Sequence, residues 1–193
     1  MQIFWKLFAE ELYQSLNWNS TRINDWFNVF YKYPIPYTKK IEETMSTIGK
    51  YLGFGEHEIK ISKQHHRIDC SFGKYKDNIF NIEYAIEHEN DNRTWYQELD
   101  KLRKMNQKIK RVIIAYYHWR SSSLEIVKKD LQRQYNNNEL NGINENFLFI
   151  FGPWFNNNAA YDINTIKNLD YKAFIFNGIN FENLNDNQIL RRL

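Results

Sequence analysis

The chain has one cysteine, three prolines and seven glycines in 193 residues, and no long apolar run. A single cysteine, Cys70, excludes an internal disulfide and a cysteine-rich zinc module; it suits a reducing compartment, so a cytoplasmic location is expected. The glycines form no phosphate-cradling loop, and no serine stands in a nucleophile-elbow pattern. Apolar stretches fall short of the roughly 20 residues of a membrane span. Glu10 and Glu11 interrupt the first of them, so neither a signal peptide nor a membrane partner is expected. Charge of either sign is in small excess at most, with 26 Lys and Arg against 23 Asp and Glu and a net charge of +3. That balance permits contact with a polyanion without requiring it.

What is plentiful is aromatic. Phe, Tyr and Trp make up 17% of the chain and apolar residues 42%, ample for one domain of moderate size with a real core. Asparagine runs at 136–138 and 156–158 read as solvated loops.

The apolar spacing predicts a helix over 3–17, with Phe4, Leu7, Phe8, Leu12 and Leu16 on one side, and a second through Trp26, Phe27 and Phe30. Pro34 and Pro36 predict an extended link there, dividing an N-terminal helical extension (1–36) from the main α/β domain (37–193). A helix from about Lys40 to Leu52 follows, its stripe Ile41, Met45, Ile48 and Leu52, stopped by Gly53 and Gly55. Ile59 and Ile61 alternate in a strand over 58–63. Trp95, Leu99, Leu102, Met105 and Ile109 predict another helix, with Asp100 and Lys104 as an i,i+4 pair. Val112 to Tyr117 and Phe147 to Phe151 are continuously apolar and read as strands covered on both faces, with a helix through Leu124, Val127, Leu131 and Tyr135 between them. Ala173 to Phe176 is a last short strand. The order predicts a mixed central β-sheet flanked by helices on both faces.

Between the third helix and the fourth lies an acidic hairpin. Ile68, Cys70 and Phe72 alternate with Arg67, Asp69 and Ser71; Phe80, Ile82, Tyr84 and Ile86 alternate with Glu83, Ala85, Glu87 and Glu89. A three-residue turn, Asp77 to Ile79, sets Asp69 across from Glu87, whereas a two-residue turn would set Asp69 opposite Ile86 and mix the faces. Carboxylates opposed across a hairpin repel. A hard divalent cation, Mg²⁺ or Mn²⁺, would relieve this. The competing account is an exposed strand face whose carboxylates are solvated or paired with lysine and arginine. Zinc is disfavoured, since His66 and His88 share the parity of Ile68 and Ile86 and point away from Asp69.

Residues 40–117 resemble the PD-(D/E)xK phosphodiesterase superfamily, the restriction-endonuclease-like fold: a helix, a three-stranded meander, a helix and a further strand. Asp69 takes the place of the acidic residue on the second strand, and Ile86-Glu87-His88-Glu89 that of the motif on the third. Two features depart from the pattern: Ile68 stands where the proline would be, and Glu89 where a lysine is usual. The resemblance implies a metal-dependent nuclease with catalytic Asp69, Glu87 and Glu89, and with Mg²⁺ or Mn²⁺ held by Asp69, Glu87 and the backbone carbonyl of His88. It also implies auxiliary roles for Glu42 and for a cation from Arg67 or Lys60, with Arg93, Lys101 and Lys104 meeting nucleic acid, DNA being the expected substrate. A homodimer or larger assembly is compatible with it. The rival reading is a nuclease fold that has lost catalysis and binds nucleic acid or serves as a structural subunit, favoured by the missing lysine.

Overall fold

A computed structural model of the chain describes residues 1–16, 34–65, 68–89, 95–118, 124–137, 143, 146–154, 171–177 and 179–184. The helix expected through Trp26 to Phe30 lies outside them. The chain is α/β, built on a seven-stranded mixed sheet with strands in sequence order. Helices α1 (Gln2–Leu16) and α2 (Pro34–Tyr51) come first. Strands β1 (Ile59–His65), β2 (Ile68–Lys76) and β3 (Ile79–His88) form an antiparallel meander. Helix α3 (Trp95–Arg103) leads to β4 (Lys110–His118), and α4 (Leu124–Asn136) to β5 (Phe147–Trp154). These two crossovers make β3, β4 and β5 parallel, as a helical connection allows and a tight turn does not. Antiparallel β6 (Lys172–Phe176) and the three-residue β7 (Phe181–Asn183) complete the sheet. None of the described helices is long and apolar enough to cross a membrane.

The extended link expected at Pro34–Pro36 is instead the first turn of α2, which therefore runs across the division expected at residue 36. Proline fits there because the first-turn amides have no intrahelical acceptor to lose. At its other end α2 stops as expected. Gly53 takes φ +88, its amide donates to the Lys50 carbonyl at 3.0 Å, and the Phe54 amide donates to the Gly49 carbonyl at 3.0 Å, which closes the last carbonyls.

Two apolar clusters share the sheet. Phe4, Trp5 and Phe8 of α1 and Ile41, Met45 and Ile48 of α2 pack with Cys70, Phe72, Tyr84, Ile86, Val112 and Ile114. Trp95, Leu99 and Leu102 of α3 and Leu131 of α4 pack with Ala85, Ile113, Ala115, Phe149 and Phe174. Adjacent residues of β4 thus join different clusters, which is why Val112 to Ala115 are all apolar and all fully buried. Cys70 is a buried core residue, as its parity suggests.

The hairpin corrects the expected turn. Asp77 and Asn78 form a two-residue turn, both with positive φ (53° and 61°), between paired Lys76 and Ile79. Pairing then shifts between Phe72 and Gly73: Phe72 faces Tyr84 while Gly73 faces Ile82, leaving Glu83 as an extra residue in β3. The bulge restores the count that the shorter turn removes. It also moves Ile82 to the cluster of α3 rather than that of Tyr84 and Ile86. Ile68 likewise packs with Ala85 and not with Cys70, beside an interruption of the β1–β2 ladder between Ile61 and His65. The bulge depends on Gly73, where a Cβ would lie 2.2 Å from the Asn81 carbonyl oxygen. Backbone cannot swing aside as a side-chain tip can. Gly73→Ala is therefore expected to destabilise the fold by more than about 2 kcal/mol in urea denaturation; a change within the usual surface range would show that the bulge relaxes freely.

Candidate metal centre

Above the bulge the ladder is regular: Ser71 faces Ala85 and Cys70 faces Ile86. The same register continued by one step would set Asp69 across from Glu87; Asp69 is a charged neighbour of Glu87, and the His88 amide donates to Asp69 Oδ2 at 3.0 Å. The Glu89 amide donates to the Ile114 carbonyl at 2.9 Å, so the parallel register with β4 carries on past His88. The acidic residues thus stand at the carboxyl end of β3, where parallel sheets present their ligand sites. A cavity of about 400 Å³ opens there, lined among others by Glu42 of α2, Asp69, His88, Glu89 and Glu98 of α3.

Glu87 is not on an open face. Both faces of the sheet carry apolar clusters, and Glu87 is fully buried. For Glu87 the competing account of an exposed, solvated carboxylate does not hold, although a lysine does stand beside it. Neither of its carboxyl oxygens has a partner in hydrogen-bonding geometry among the described residues, and Lys101 Nζ stands 3.5 Å from Oε1. Burial first, then the neighbouring charge of Asp69, push the Glu87 carboxyl up to about 9, with Lys101 working the other way. Without a metal it is therefore protonated at neutral pH. Burial holds the His88 imidazole down to about 4 against the pull of Asp69, so that ring is neutral and its amide is what serves Asp69.

Lys101 also bonds Glu98 one helical turn back. Burial works against its charge, but the Glu98 hydrogen bond and the charges of Glu87 and Glu98 outweigh this and hold its pKa above the ordinary lysine value. The expected Asp100–Lys104 pair is replaced by Asp100–Arg103, because α3 ends at Arg103 and Lys104 lies beyond it. Lys101, Lys104 and Lys108 line a second cavity of about 640 Å³ against Ile68 and Ile82.

Of the residues singled out in the sequence, Asp69, Glu87, His88, Glu89 and Glu42 are brought together. Lys60 is not a neighbour that points at Asp69: its ammonium lies over the rings of Tyr75 (5.7 Å) and Phe80 (5.6 Å). Arg67 and Arg93 lie outside the described residues. Glu98 was missed, although its three-residue spacing from Lys101 is the signature of a pair on one helix face.

The donor set is all oxygen, which suits Mg²⁺ or Mn²⁺ and not zinc. Among the described residues the two buried Glu87 oxygens make no hydrogen bond of good geometry, and Asp69 and the Lys101 ammonium are their polar neighbours. Among the described residues no three His, Cys, Asp or Glu side chains converge to hold an ion. An ion would therefore rest on two carboxylates, a backbone oxygen and water, the sparse arrangement that Mg²⁺ accepts. Set against protein-family models, curated proteins and solved structures, the chain matches none.

Proposed function

We propose that the chain is a divalent-metal-dependent nuclease of the restriction-endonuclease-like kind, with α1 and α2 on one face of the sheet and α3 and α4 on the other. The observation that carries this is the nearness of Asp69 to Glu87 at the carboxyl end of β3, where the ladder reaches Cys70 opposite Ile86, the His88 amide donates to Asp69, and Asp69 and Glu89 line a cavity. Asp69, Glu87 and the His88 carbonyl would hold Mg²⁺ or Mn²⁺, and the ion, when bound, supplies an acidified water and a polarised phosphate. Glu87 must give up its proton to bind, and an adjacent double charge favours that. The His88 amide keeps Asp69 turned toward Glu87. Glu89 would accept the proton of the attacking water as the water oxygen bonds phosphorus; the bond to the leaving oxygen breaks, and that oxygen takes a proton from solvent. Glu42 closes the cavity from α2.

The second reading, a non-catalytic nucleic-acid-binding subunit, draws on a Glu87 that is already neutral in the fold, with the Lys101 ammonium 3.5 Å from its Oε1 and no ion needed. One experiment separates them. Plasmid DNA is expected to be nicked or cut with Mg²⁺ or Mn²⁺ and left intact in EDTA, while Mn²⁺ raises the melting temperature by mass action, about 2.7 kcal/mol at 100 times its Kd. Binding without cutting supports the subunit. Cutting in EDTA removes the metal from the mechanism.

A further inference from the structure

We propose that Lys101, reaching in from α3, is the cation that meets the scissile phosphate, in the role for which Glu89 offers no positive charge. This rests on the nuclease reading of the Asp69–Glu87 site. Its ammonium is 3.5 Å from Glu87 Oε1 and is tied by Glu98, so it has one place in the fold and that place is beside the carboxylates. Glu87 is fully buried, whereas the Lys101 side chain is 38% exposed. A phosphate oxygen can therefore reach Lys101 from solvent without entering the core. Lys101 also lines the larger cavity with Lys104 and Lys108, while its partner Glu98 lines the acidic one. It stands on the wall between a lysine-lined groove suited to a polyanion backbone and the carboxylates suited to an ion.

Among the described residues, the Lys60 and Lys110 ammonium groups are held elsewhere. The Lys60 ammonium lies over Tyr75 and Phe80, and Lys110 Nζ donates to the Tyr84 hydroxyl at 3.0 Å, over that ring. A lysine contributes a mobile point charge with three donors, so Lys101 can turn from Glu87 to a phosphate oxygen without leaving Glu98. Removing one such donor to developing charge typically slows a reaction about 10² to 10³-fold.

The test uses the full chain and a short DNA duplex. With Mn²⁺, Lys101→Met is expected to lower kcat at least about 100-fold with a smaller rise in KM, and Lys101→Arg to recover part of the rate. Binding is read separately in EDTA, comparing Glu87→Gln with Glu87→Gln/Lys101→Met, so that neither ion nor cutting intervenes. There the salt slope of the logarithm of affinity is expected to fall by about 0.9, one phosphate contact. Lys50→Met, on the exposed Lys50–Glu56 pair, should leave rate and slope alone. A Lys101→Met rate equal to the parent overturns the proposal. So does a slower rate with an unchanged slope, which would make Lys101 a counter-ion of Glu87 and nothing more. If the parent cuts nothing yet the slope falls, Lys101 stands as a phosphate contact and the hydrolytic reading alone fails. A chain that neither binds nor cuts overturns both.

Discussion

Asp69→Ala and Glu87→Gln are each expected to lower metal-dependent cleavage by on the order of 10³-fold or more, because groups that act as one unit fail together when one is removed. Asp69→Ala removes the acceptor of the His88 amide and, on the proposed reading, one ligand of the ion. Glu87→Gln keeps the shape of a buried, neutral side chain while removing the ability to bind as an anion, so the protein should stay folded. Plasmid nicking in Mn²⁺ measures both. Metal-free DNA affinity provides the control: without a metal the buried Glu87 carboxyl is already neutral, so replacing it by an amide should leave affinity unchanged. Cutting by both variants would move the site elsewhere. A folded Glu87→Gln chain that loses affinity in EDTA would mean that β3 does not face the phosphate.

The second large effect is on stability against pH. The folded Glu87 carboxyl, raised from 4.5 to about 9, binds a proton that the unfolded chain releases. Stability from this group is therefore complete below pH 4.5 and is lost as pH rises toward 9. His88 acts in the opposite sense. Its folded value near 4 lies below the ordinary 6.5, so its contribution is present above pH 6.5 and lost as pH falls toward 4. Metal-free protein should be most stable in mildly acidic solution. At pH 8 Glu87→Gln should exceed the parent by on the order of 5 kcal/mol, at about 1.36 kcal/mol per pH unit above 4.5, and saturating Mn²⁺ should flatten the alkaline limb of the parent. Urea denaturation from pH 4 to 9 decides it. Parallel profiles for parent and variant above pH 5 would show that Glu87 is ionised in the fold.

Much of this fold is legible residue by residue, and the limits have physical causes. β4 and β5 announce themselves because strands with both faces covered have no polar positions to spare. α2 shows itself in its stripe and its Gly53 stop. The hairpin deceives, because Asp77 and Asn78 both enter the left-handed region and so need one residue fewer than face matching requires. The missing residue sits at Glu83, in the opposite strand from Gly73, the glycine that would have betrayed it. At the site, Asp69 and Glu87 are recoverable from alternation, whereas the burial of Glu87 is not. It comes from α3, whose packing against β3 is a tertiary event, and the same event brings Lys101 to Glu87 across fourteen positions of sequence (101 less 87). β7 is too short, at three residues, to carry a period.

The paired irregularities of the hairpin bear on how this chain can change over evolutionary time. Loss of one residue inside a central strand ordinarily swings every later side chain to the wrong face. Here Glu83 is already outside the ladder, so a lineage that dropped it would keep Tyr84 on Phe72, Ile86 on Cys70 and Asp69 before Glu87. The acidic pair is thereby insulated from the loss of one residue in the middle of β3.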